Sequence, residues 1–440
     1  MTIRAIFLSS LIGLLSFPPL NTAQTAPDGA ASPDARLEYV VILSRHGVRP
    51  PLNKPGALDY LSAAPWPQWE APPGYLTPHG YQLMKLFGAW DRANLSAKGL
   101  FAASGCDDAA HVTILADSDE RTRETGKALA EGMFPGCSIE VHAQAEGIRD
   151  PLFAPINEAH SGAELAAAAI AGRIGGNADN LTAAYRPQLT QLDNILAGCG
   201  HVANPNPKRT SLLSIPSSLA PASSNRAYPL RGPLAEALSL TENLQLEYAD
   251  GMPAANVGWG CVDADTLRQV MQVGVASWTV TYRAPTVARM YAANLLSHIE
   301  LSMEQKISGK PTAGALGSPA DRILLLVGHD TNIVAVAGAL GIDWIEDGRV
   351  DDTPPGGALL FELWRSSADG HPFVRVEYIA QTLDQMRNSQ QLTPTNPPAQ
   401  APVFVPGCSR ADMSCTWDGF STAMRSVIDP AYVSSHGAGK

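Results

Sequence analysis

The chain has 440 residues, 45% of them hydrophobic and 17% charged, with a formal net charge of −11 at pH 7. This composition supplies ample apolar material for a large core and argues against disorder. The acidic balance excludes a chain built to coat nucleic acid or an anionic membrane, since both need a broad basic face; a small anionic ligand stays compatible where a few arginines make one local field positive.

From the N-terminus, residues 1–26 have the layout of a secretory leader: Arg4, an apolar run over 5–17, and small residues near Ala23 and Ala26, either of which suits cleavage. The run is shorter than the roughly 20 residues that span a bilayer, so a periplasmic or secreted, soluble mature protein is expected. Three short apolar runs of one design follow: LEYVVILS (37–44), VTILA (112–116) and ILLLVG (323–328). Each reads as a buried strand of a parallel sheet. Each leads straight into a polar cluster, RHGVRPP, DSDERTR or HDTN, and the stretches 121–133 and 331–341 after the last two read as helices. Strand, cluster and helix form the repeating unit of an open α/β sheet, whose ligands bind beyond the carboxyl ends of the strands. The three clusters should therefore meet.

Between 151 and 257 the texture changes to helical periodicity without a convincing strand, in ELAAAAIAGRI, LTAAYRPQLTQLDNILAG and GPLAEALSLTENLQLEYADGM. The expected architecture is thus α/β: an open, mostly parallel sheet flanked by helices, formed by 35–150 and 258–440, with a smaller α-helical cap domain inserted over 151–257. The 204–228 stretch, rich in Pro, Ser and Asn, reads as an exposed loop. Further on, TPPGGALLFELW and FVRVEYIAQT alternate like two more strands, whereas NPPAQAPVFVP reads as irregular. Six cysteines in an exported chain are expected to pair. Cys408 and Cys415 would close a small loop, and Cys106 with Cys137 is favoured, leaving Cys199 with Cys261, although fifteen pairings are formally open.

RHGVRPP sets Arg45, His46 and Arg49 at a strand end. Guanidinium forks match phosphate oxygens two at a time, and they disfavour the imidazolium, so that His46 keeps a lone pair with which to attack phosphorus. Gly47 lets the backbone turn beside a ligand. In the second cluster Arg121 would supply a third fork, with Arg123 as its competitor and Asp117 or Glu120 orienting the other arginines. In the third, His329 would donate to a phosphate oxygen and Asp330 would protonate the leaving oxygen. Alone, each cluster is as easily a basic turn, a solvated helix start or a helix cap; the three together are not.

RHGVRPP, ADSDERTR and GHDTN, in that order behind a leader, resemble the histidine acid phosphatases, more closely their bacterial phytase-type branch. GYLTPHGYQLMKLFG, LTENLQLEYADGMP, GWG, DDTPPGGALLFELWR and QTLDQMR extend the resemblance over most of 37–420. It implies a two-domain fold and hydrolysis of phosphate monoesters through a phosphohistidine, with no metal and no cofactor. Residue by residue, it places the nucleophile on His46 and the proton donor on Asp330. It places the phosphate pocket on Arg45, Arg49, Arg121 and His329, and a substrate-lining position on Glu242 in LTEN. The expected function is that of a secreted or periplasmic acid phosphatase acting as a monomer on a small-molecule ester, phytate first, with broad-specificity or glucose-1-phosphatase activity as the alternative. A periplasmic protein that binds phosphate esters without turnover is the reading from another class, but binding needs neither a nucleophile nor a proton donor.

Departures from the branch bear on substrate. Pro50 stands where close relatives often have alanine, and Asn53 stands where some phytases have lysine, with Lys54 one place later. The branch's disulfide to the C-terminus is absent, so the tail after Met424 is expected to be looser. GxxxxGK[ST] and GxGxxG motifs are absent, which leaves nucleotide binding unsupported. His79, His142 and His160 read as ordinary satisfied side chains.

Overall fold

Register brings the three clusters together. The structure, a computed structural model, describes residues 35–154, 162–219 and 230–434; the expected leader, His160 and the 220–228 part of the polar loop lie outside them. Strand β1 (Ala35–Arg45) is followed by helix α1 (Pro78–Ala97), β2 (Val112–Ala116), α2 (Glu120–Met133) and the short β3 (Val141–Ala143). Three helices come next, α3 (Gly162–Arg173), α4 (Ala178–Ala184) and α5 (Arg186–Leu196), then a two-residue ladder of β4 (Ser218–Leu219) with β5 (Leu230–Arg231). Long helices α6 (Pro233–Ala249), α7 (Ala264–Val280) and α8 (Pro285–Ser308) lead to β6 (Ile323–Gly328) and α9 (Asp330–Leu340). The chain ends with the β7–β8 ladder (Ile345–Glu346, Arg349–Val350), β9 (Ala358–Ser366), β10 (Pro372–Ala380), α10 (Leu383–Arg387), β11 (Ala399–Pro402), β12 (Ser414–Thr416) and α11 (Trp417–Val427).

The main sheet runs β11-β10-β9-β1-β6-β2-β3, with β12 also on β10. β1, β2, β3 and β6 pair in parallel, and β10 shares their direction because β9 is antiparallel to both β1 and β10; β9, β11 and β12 run against them. The sheet is thus mixed but mostly parallel. All six residues of β6 are buried, as its unbroken apolar sequence requires for a strand covered on both faces. The 396–406 segment, expected to be irregular, contributes β11. Edge position explains it, since only one side of β11 bonds to the ladder and Pro402 needs no donor on the other. The three expected disulfides form: Cys106–Cys137, Cys199–Cys261 and Cys408–Cys415. The tail is better held than expected through residue 434, with the Ser434 N–H on Asn294 Oδ1 at 2.8 Å and Tyr432 packed beside Met290.

Helices α5, α6 and α7 share a hydrophobic cluster of their own, including Leu189, Leu192, Leu240, Leu244, Val270 and Val273, which reaches the sheet domain at Val48 and Leu83. No helix among the described residues is long and apolar enough to cross a membrane. Helices α1 and α2 cross so closely that a Cβ on Gly132 would lie 2.0 Å from the Lys85 carbonyl oxygen. A backbone oxygen cannot give way there as a side chain would. Gly132→Ala should therefore cost about 3 kcal/mol or more, read as a lowered urea midpoint at unchanged slope.

Candidate active site

Parallel pairing sets Arg45 opposite Gly328 and Ala116 opposite Val327, so the polar clusters leave the sheet at one edge, where the carboxyl ends lie. His46 continues from β1, its N–H on the Gly328 carbonyl and its own carbonyl accepting from the Gly356 N–H, both at 3.0 Å. Its ring is 1% exposed, and Nδ1 lies 2.8 Å from the Gly47 carbonyl oxygen. A carbonyl only accepts, so Nδ1 bears the proton and Nε2 keeps a lone pair. Burial, followed by the charges of Arg121, Arg49, Arg45 and His329, lowers the His46 pKa well below its ordinary value. The imidazole is neutral in mildly acid solution. Gly47 is needed beside it, because a Cβ there would meet Met84 Cγ at 2.8 Å and the Gly80 oxygen at 3.2 Å.

Three guanidiniums converge on this edge. Arg45 donates to the Thr353 carbonyl at 2.5 Å and to Glu242, and its Nη2 lies 3.2 Å from Asp330 Oδ2. Arg49 reaches the same Glu242 oxygen at 2.9 Å. Arg121 donates to Asp119 at 2.5 Å and its Nη2 stands 3.5 Å from His329 Nδ1. Its competitor Arg123 instead pairs with Glu146 at 2.9 Å, away from the cup. The Nε–H groups of Arg45, Arg49 and Arg121 are all buried without an acceptor.

His329 and Asp330 sit at the start of α9, where helix-end amides and the dipole favour negative charge. The His329 ring lies 5.6 Å from that of His46, centroid to centroid, and its Nε2 is 2.6 Å from Asp117 Oδ2. Asp330 Oδ1 accepts from the Thr331 N–H at 2.7 Å. Burial pushes the Asp330 carboxyl up, but Arg45, Arg49 and His329 outweigh it and hold the group below its ordinary value. Asp117 behaves alike, with burial overcome chiefly by His329.

The structure thus gathers Arg45, His46, Arg49, Arg121, Glu242, His329 and Asp330 at one place. The expected orienting groups differ: Asp117 holds His329 rather than an arginine, and Glu120 accepts from the Leu76 N–H at 2.9 Å. Asp119 orients Arg121, and Glu242 bridges Arg45 and Arg49. Sequence reasoning missed Asp119, the acid of DSDE that lies between the two it named, and the Thr353 carbonyl, which as backbone leaves no signal. A cavity of about 240 Å³ opens beside the cup, lined by Arg45, Arg49 and Asp330, by Glu242 and Trp278 from the helices, and by Tyr282 from the turn after α7.

Arginine forks gathered around a neutral imidazole at the carboxyl edge of an α/β sheet define a phosphatase of the histidine type. The comparisons agree: residues 36–378 match the model of the histidine phosphatase superfamily, branch 2. The chain is 34% identical to phytase AppA of Escherichia coli strain K12, over 97% of this chain and 98% of that one. It is 28% identical to a glucose-1-phosphatase of Providencia rettgeri, over 94% and 96% of the two chains. Among solved structures, a Hafnia alvei phytase in complex with tartrate superposes with a TM-score of 0.82 at 31% identity, covering 93% of this chain and all of that one. The chain belongs to branch 2 of the histidine phosphatase superfamily, and its reaction is the hydrolysis of phosphate monoesters.

Proposed function

We propose that this hydrolysis runs through a phosphohistidine on His46, at acid pH, in the periplasm or outside the cell, with phytate as the foremost substrate. The three unpartnered Nε–H groups of Arg45, Arg49 and Arg121 are the observation that carries the proposal. Buried donors on charged groups are costly to leave without an acceptor, and a tetrahedral anion resting between them supplies several acceptors at once. His46 Nε2 attacks phosphorus as the ester P–O bond breaks, and Asp330 gives its proton to the departing oxygen. Water then attacks the phosphohistidine, Asp330 takes up a water proton, and orthophosphate leaves His46 neutral again. Glu242, which bridges Arg45 and Arg49, lines the substrate side. The helical insert at 151–257 serves as a cap over the core formed by 35–150 and 258–440, with α7, which shares the insert's apolar cluster, on the cap side. One chain holds the whole cup, so a monomer suffices.

Phytate is supported by the phytases to which the chain is similar. One observation favours a second reading, an uncharged ring as leaving group: among the described residues the only cations lining the cavity are Arg45 and Arg49, while Met271 and Trp278 of α7 and Tyr282 in the turn after it form the facing side. Phosphate release from phytate, glucose 1-phosphate and an aryl phosphate between pH 3 and 7 decides between them, with phytate expected to have the highest kcat/KM. Reversal of that order would hand the site to the second reading. Asp117, Asp119 and His329 place ligand atoms within 4.8 Å of one another, yet His329 is engaged by Asp117, and Asp119 by Arg121. EDTA should therefore leave the rate unchanged, and activity that vanished with the chelator would refute hydrolysis without a metal.

A further inference from the structure

We propose a second ligand site, separate from the phosphate cup, that takes a neutral hydroxylated ring of the hexopyranose type. It occupies a cavity of about 190 Å³ between the 50–73 loop and α6, and none of its lining residues lines the cavity beside the cup. Asn243, the neighbour of Glu242 in α6, is 3% exposed, lines this second cavity, and makes no side-chain hydrogen bond to any described residue. In a residue this buried, an amide that no described group satisfies has the cavity as its outlet, and an occupant of the cavity would be its partner. That partner must both give and take hydrogen bonds, which a hydroxyl does and a phosphate dianion does not.

The remaining walls agree with a ring. Trp66 and Trp69, both half-buried, line the cavity, and Trp66 is braced edge-on against Trp259 at 4.9 Å between centroids. The Trp66 indole N–H is itself buried without an acceptor. Indole faces cover the C–H surface of a flat ring, while a few convergent polar groups fix its orientation. Lys54 and Asp59 both line the cavity, so their opposite charges leave little net field for an anion. Prolines from both ends of the loop stiffen the wall, so little conformational entropy is lost on binding.

The test is calorimetric titration of the full chain with methyl α-D-glucopyranoside, which carries no phosphate, with and without saturating inorganic phosphate. A dissociation constant on the order of millimolar is expected, unchanged by phosphate, and weakened at least about tenfold in Asn243→Leu and in Trp69→Ala. The near-ultraviolet dichroism of each variant confirms its fold, and the partly exposed Trp69 gives a second variant should Asn243→Leu fail to fold. Absence of heat in the wild type would overturn the proposal, because ordered water then satisfies Asn243. So would competition with phosphate, which would move the ring into the cup, or full affinity in the folded variants. The titration requires no turnover, so its failure leaves the phosphatase reading intact.

Discussion

Replacing His46 by alanine should abolish turnover on every ester, lowering kcat by about 10⁵-fold or more, as loss of a covalent nucleophile does. The size of the effect follows from position. Three guanidiniums and His329 surround the ring, and the Gly47 carbonyl fixes the proton on Nδ1, so Nε2 presents its lone pair within the gathered charges. Water admitted into the space left by the ring would lack both the fixed distance and the neighbouring base. Ester binding should survive, because the arginine contacts to Thr353, Glu242 and Asp119 do not pass through His46. Wild-type enzyme mixed with labelled ester and quenched in alkali, where a P–N bond to imidazole persists, should show label on the peptide containing residue 46. Label on a serine, or comparable turnover by His46→Ala, would refute the phosphohistidine.

How much of this was legible beforehand depended on the kind of physical signal. Strands β2 and β6 were read with their observed ends, because strands buried on both faces are continuous apolar runs. β1 runs further than its apolar core, since Ala35 and Arg36 pair with Ser366 and Arg365 at one end and Arg45 pairs with Gly328 at the other; ladder hydrogen bonds ignore side-chain polarity. β11 was hidden because prolines mark loops and edge strands alike. In the site, Arg45, His46, Arg49, Arg121, His329 and Asp330 stood out as dense clusters at strand ends. Glu242 had no local signal in its helix and was reached only through the family resemblance. Nor does helical periodicity reveal which core a face joins: the apolar side of α7 packs with α5 and α6, a matter of tertiary contact.

Asp330→Asn should lower kcat by about 10² to 10⁴-fold on esters with poor leaving groups and far less on an aryl phosphate, whose oxygen departs without a proton. KM should not rise, because the substitution removes a negative charge 3.2 Å from Arg45 that competes with the phosphate. The pH dependence tests the same role. Arg45, Arg49 and His329 hold Asp330 below its ordinary value despite burial, so the free enzyme carries it ionised through mildly acid pH. An ester bound between the guanidiniums cancels their pull, burial then dominates, and the carboxyl becomes a proton acceptor. The proton arrives with the substrate: below a second pKa of about 6 a phosphate monoester is a monoanion, and transfer to Asp330 on binding gives the acid that the chemistry requires. The alkaline limb of kcat/KM should accordingly lie near pH 6 and move with the second pKa of the ester, and in Asp330→Asn it should flatten, since no carboxylate is left to receive the proton. Equal losses on alkyl and aryl esters, or an alkaline limb that persists unchanged in the variant, would remove Asp330 from proton transfer and leave it a charge that only positions Arg45.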